Sequence, residues 1–203
     1  MSNTDSGDGR AKALRSATNE THDRLDKRIM AAAPFASREH YARFLEVQHA
    51  FHRHIDTLCQ TPVLAALLPD LNRRRRFALV EHDLADLGRP VPAPDCAPVF
   101  PGEPDVPTAL GWLYVAEGSN LGAAFLLKDA EKLGLSESFG ARHLAPQPEG
   151  RGASWRAFTA ALDAIALLPD EEERVIAGGN AAFKYVQDLV DRLMPIAEHE
   201  VVP

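Results

Sequence analysis

Apolar residues recur at intervals of three and four through most of this chain, the spacing of amphipathic helices. Leu14, Ala17, Thr18, Thr21, Leu25 and Ile29 form one stripe between Lys12 and Met30, and Pro34 closes that segment. Ser37 reads as the N-cap of a second helix, whose stripe holds Tyr41, Phe44, Leu45, Gln48, Phe51, His52 and Ile55. A short segment, Pro62 to Leu68, precedes Pro69 and Asp70, and a helix is predicted from Asn72 to Leu87 with Gly88 as its stop. Thr108 starts a long helix through Trp112, Tyr114, Val115, Leu121, Phe125 and Leu126 to Leu133, where Gly134 ends it. Ser136 to Gly152 reads as a loop, and Ser154 as the cap of a helix carrying Trp155, Phe158, Ala161, Leu162 and Ile165. Pro169 with Asp170 to Glu173 opens the last helix, which runs through Phe183, Val186, Leu189 and Leu193. No period-two strand and no internal repeat stands out. The fold class is therefore all-α, a single-domain irregular bundle of about seven helices.

Between Pro90 and Pro107 seven prolines exclude a regular ladder, so this stretch reads as an ordered, irregular crossover. Residues 1–10 are polar and small, which predicts a disordered tail ahead of one domain at 11–198. A chain of 203 residues can bury one sizeable core. Its formal charge of −7 argues against nucleic acid as a partner. The exception is the run Arg73 to Arg76, either a solvated start of a helix or a docking patch for an acidic partner. Cys59 and Cys96 show no metal or redox spacing and read as reduced thiols. No apolar run approaches the roughly 18 residues of a membrane span, and no signal-peptide core is present. The expectation is a soluble, cytoplasmic monomer.

Two helices carry candidate chemistry. His22 lies at the edge of the first stripe, where a structural histidine is the ordinary reading and a metal ligand the sharper one. Arg15 sits seven residues earlier, about 10.5 Å along the same face, an offset that suits a metalloporphyrin with its iron at the histidine and a carboxylate at the cation. The other histidines form no metal spacing. In the long helix, Gly118 and Gly122 lie at i and i+4, each costing about 1 kcal/mol against alanine. They permit either close helix–helix packing or a backbone, kinked near the glycines, lying against a flat ligand.

The stretch from Leu14 to Leu25 resembles the proximal helix of haem oxygenases, and Glu117-Gly118-Ser119-Asn120-Leu121-Gly122-Ala123 resembles the distal helix of their bacterial branch. Pro34 to Ser37, Tyr41 to Leu45, Gln48 and Phe51 to Arg53 are similar to the second helix of that branch, and Asn180 to Phe183 to the start of the closing helix. The resemblance implies haem sandwiched between a proximal helix and a kinked distal one. It implies His22 as the axial iron ligand, with Gly118 and Gly122 letting the distal backbone touch the porphyrin. Ser119 stands where many members carry an aspartate that organises distal water, so backbone carbonyls, Ser119 and Asn120 are its candidate replacements. Arg15, Tyr114 and Lys128 match positions facing the haem propionates; Arg156 is a further candidate, and Phe183 a haem contact.

The implied activity is oxidative opening of haem to biliverdin, CO and Fe²⁺, using O₂ and an external electron donor, a ferredoxin or flavoprotein reductase. The purpose would be iron acquisition or supply of a bilin chromophore. A neutral histidine ligand does not push strongly for O–O cleavage, and a distal helix that offers no carboxyl or imidazole at the binding site suits attack on the ring. Anchoring of both propionates by Arg15 and Tyr114 predicts α-cleavage. The rivals are a non-enzymatic haem carrier or sensor using the same His22, and a helical interaction module using the arginine run.

Overall fold

The computed structural model describes residues 9–68, 70–93 and 97–196. Seven α-helices account for most of them: α1 (Arg10–Ala31), α2 (Arg38–Cys59), α3 (Pro62–Leu67), α4 (Phe77–Asp86), α5 (Val106–Glu131), α6 (Arg151–Ala164) and α7 (Pro169–Leu193). No strand forms among the described residues, and no helix is long and apolar enough to cross a membrane. The local signals explain several ends. Ser37 Oγ accepts the His40 amide at 3.2 Å, Asp105 accepts the Thr108 amide at 3.1 Å, and Gly88 and Gly134 leave α4 and α5 at φ +66° and +73°.

Other boundaries differ from expectation. Arg10 belongs to α1 and is buried, with hydrogen bonds to Glu172 and to the Leu162 and Ile165 carbonyls, so the expected tail does not reach it; residues 1–8 lie outside the described residues, as does Cys96. The predicted helix from Asn72 divides into a 3-10 turn, Leu71–Arg74, and α4, because Arg75 is extended. Ser154 does not cap α6, which begins at Arg151 after Gly150; Ser154 is buried, its Oγ accepting from Arg74 at 2.9 Å. α5 stays helical across Gly118 and Gly122 without a break, and Asn180 lies well inside α7 rather than at its start.

The core sits where α5 lies along α7, with α1 and α2 packed on α7 from either side. Close approach there requires glycine. A Cβ at Gly111 would strike the Val175 carbonyl, and one at Gly178 the Thr108 carbonyl. At Gly179 an added Cβ would come within 3.2 Å of Leu14 on α1. Helices α1 and α5 thus share α7 and α6 as supports, with little direct packing between them. That arrangement holds their facing sides apart.

Candidate functional site

His22 is on α1 with its side chain 54% exposed. Its ring meets Phe183 of α7 edge-on, with centroids 5.9 Å apart. Nδ1 lies 3.5 Å from Asp26 and 3.6 Å from Asp23. Burial raises the pKa of Asp26; the His22 charge lowers it and the Asp23 charge raises it. Both carboxylates lie on the Nδ1 side of the ring, at ion-pair distance.

On α5 the first half is enclosed by protein: from Ala109 to Glu117 every residue is buried. From Gly118 onward one stripe opens. An added Cβ at Gly122 would meet nothing within 4 Å, and one at Gly118 only the Trp155 ring at 3.8 Å. The helix-packing reading of these two glycines is therefore wrong; Gly111, Gly178 and Gly179 do that work, and the sequence did not single them out. Leu121 and Phe125 share the open stripe and are 42% and 75% exposed. They stand three and seven residues after Gly118. A bare helix face flanked by exposed apolar side chains fits a flat, apolar ligand.

Tyr114 continues the stripe toward the helix start and is nearly buried against Trp155, with centroids 5.5 Å apart. Burial raises the phenol pKa, and the nearby Arg15 charge opposes it. The Arg15 charge thus reaches the Tyr114 phenol. Arg15, Lys128 and Arg156 are all exposed. Lys128 lies near the end of α5, and Arg156 bends back toward Gly152 of its own helix. Ser119 donates to the Ala116 carbonyl at 2.7 Å. Asn120 projects from the opposite side of α5 to the open stripe, its amide 3.4 Å from Glu117.

Behind the stripe lies a buried polar layer that the sequence did not reveal. Glu117 accepts from Arg74 at 2.6 Å, and both side chains are almost wholly buried. Burial pushes the Glu117 carboxyl up despite Arg74 beside it. Arg76 is buried and donates to the His143 and Ala145 carbonyls, while Arg75 pairs with Asp56 at 2.6 Å. The arginine run is therefore neither a solvated helix start nor a docking patch: two of its four members are interior.

A helical frame with a half-exposed histidine on α1 and a glycine-bared, apolar stripe on α5 suits a binding protein for a planar ligand. The sequence profile described as heme oxygenase matches residues 9–90 and 97–192. The chain is 44% identical over 183 residues to the heme oxygenase PigA of Pseudomonas aeruginosa, covering 90% of this chain and 92% of that one. The solved NO- and CO-bound heme oxygenase of Neisseria meningitidis superposes with a TM-score of 0.87 at 39% identity, covering 94% of each chain. The chain belongs to the heme oxygenase family, and it is an oxidoreductase that degrades haem.

Proposed function

We propose that the chain binds one haem in the slot between α1 and α5, with the His22 imidazole as axial ligand and the Gly118–Gly122 backbone against the opposite face. The observation that carries this reading is the open stripe on α5, where a Cβ at Gly122 would touch no protein atom. Haem is both substrate and the source of O₂ chemistry, and the protein supplies binding and orientation. Asp26 and Asp23 lie on the Nδ1 side of His22, which supports Nε2 as the atom that would face the iron. Phe183 packs on the edge of that ring. The α5 backbone, with Leu121 and Phe125, forms the apolar wall that crowds the distal side and excludes bulk water.

Arg15 beside Tyr114 supplies a cation and a phenol at one edge of the slot, suited to the haem propionates, with Lys128 and Arg156 as outer cations. Ser119 follows Gly118 on α5 and donates to the Ala116 carbonyl, and its oxygen can still accept a bond from distal water. The products are biliverdin, CO and Fe²⁺. Electrons come from a ferredoxin or flavoprotein reductase, and the protein acts as a cytoplasmic monomer. Haemin added to the protein, followed by ascorbate or a reductase under air, tests the reading. Loss of the Soret band with a new long-wavelength absorbance is expected; a Soret band stable to reductant, or none at all, overturns it.

A further inference from the structure

α6 is fourteen residues long and opens on Gly150 at φ +85°, with no side chain capping its first turn. The unpaired amides of such a turn carry positive partial charge and favour an anion. A cavity of about 10 Å³ sits beside this end, lined by Arg76, Glu117, Asn120, Gln147, Arg151 and Ser154 among others. That size holds about one water-sized particle.

A second, independent feature lines the same space. Arg76 is only 5% exposed, and its Nε is buried without any hydrogen-bond partner. Its Nη1 is engaged by the His143 and Ala145 carbonyls at 3.2 and 2.8 Å, so no carboxylate neutralises this guanidinium directly. Arg151 donates to the Asn120 carbonyl at 2.9 Å and to the Leu144 carbonyl at 2.5 Å, likewise neutral acceptors. Among the described residues neither arginine forms a salt bridge. Glu117 also lines the cavity, but it is held by Arg74 at 2.6 Å. Glu137, whose charge acts on Arg151, is exposed. Burial lowers the pKa of both Arg76 and Arg151; at Arg76 the Glu117 charge opposes the shift and the Arg151 charge adds to it. Two like charges and a helix amino end therefore face one small space. A water would leave that repulsion in place, and a phosphate would not fit.

We propose that this cavity is a binding site for one small monovalent anion of the halide class, held by Arg76, Arg151 and the amino end of α6. Through Arg151 the anion ties the α6 terminus to the Asn120 turn of α5, behind the open stripe. Arg76, Arg151 and the α6 terminus do not lie on that stripe, although Leu121 at its edge and Trp155 also line the cavity.

Melting of the full, haem-free chain at constant ionic strength, with sodium chloride or bromide replacing sodium gluconate, tests it. A saturable rise in Tm with halide is expected, and crystals grown in bromide should show an anomalous peak in contact with Arg76 Nε. Arg151→Gln, at the partly exposed rim, should weaken the apparent halide affinity at least tenfold while the variant still melts cooperatively. Equal melting in gluconate and chloride overturns the proposal. So does water alone at the bromide position, halide binding only at crystal concentration, or an Arg151→Gln variant with unchanged halide dependence.

Discussion

Gly122→Ala separates the two explanations for a glycine inside a helix. Alanine favours a helix interior over glycine by about 1 kcal/mol, and the added methyl would meet no protein atom. The haem-free protein should therefore gain stability, about 2–4 °C in Tm for a chain of this size. Gly178→Ala carries the same propensity gain but drives its Cβ into the Thr108 carbonyl. Backbone cannot rotate away, so overpacking of about 1–3 kcal/mol outweighs the gain and Tm falls. The ligand reverses the order at residue 122. Any side chain there stands between the backbone and the porphyrin, and Gly122→Leu should weaken haemin binding at least tenfold, about 1.4 kcal/mol. Differential scanning fluorimetry of the haem-free variants and Soret titration with haemin read the two effects separately. A fall in Tm for Gly122→Ala, or unchanged haemin affinity and turnover in Gly122→Leu, would refute the reasoning.

His22→Ala should leave stability within about 0.5 kcal/mol, because the ring is 54% exposed; the Soret signature of histidine-bound haem and the turnover should vanish, and added imidazole should restore the spectrum. Arg74→Ala strands a buried Glu117 carboxylate and should cost about 3–5 kcal/mol in urea unfolding, most of it recovered in the double variant Arg74→Met, Glu117→Gln. His52 is pushed down to about 3, first by burial and then by the charges of His143 and Arg76. In the unfolded chain it takes a proton near 6.5, so its stability is complete above that pH and drains as pH falls toward 3. At pH 5 the loss from this residue is about 2 kcal/mol, and melts between pH 7 and 5 should flatten in His52→Gln. Chromatography of the bilin product should show mainly the α isomer, with Arg15→Ala broadening the mixture; β or δ as the main wild-type product breaks the link between the Arg15–Tyr114 edge and regioselectivity.

The helices were legible because their stripes are long and their punctuation obeys simple chemistry: Ser37 and Asp105 cap, Gly88 and Gly134 stop. The family was legible because the stretches from Leu14 to Leu25 and from Glu117 to Ala123 together resemble haem oxygenases, and the profile match bears that family out. The arginine run was not. Four adjacent cations look like solvent-facing charge, and only the tertiary structure shows that Glu117 and the backbone carbonyls of His143 and Ala145 draw Arg74 and Arg76 inside. The same limit hid Ser154, whose type and position signal a cap but whose hydroxyl is needed by Arg74. Long-range polar partners leave no periodicity in a sequence. Glycines fail differently: Gly111 and Gly122 look alike in the chain, yet one faces backbone and the other no protein atom.

That contrast along α5 also bears on what the ligand does for the fold. The segment from Ala109 to Glu117 is buried on every side, whereas beyond Gly118 only Ala123, Leu127 and Ala130 are buried. A helix this apolar in its first half is a core helix, and its second half has the same character with one partner missing. Phe125 at 75% exposure and Leu121 at 42% lie on the side that lacks it. Covering such side chains contributes about 1.5–3 kcal/mol each when complete, so a flat ligand on this stripe finishes the core as well as entering the site. Haem binding should then raise the stability of α5 beyond what the iron–histidine bond alone gives. From behind, α5 is braced by the Arg74–Glu117 pair, while Gly118 and Gly122 leave its front bare.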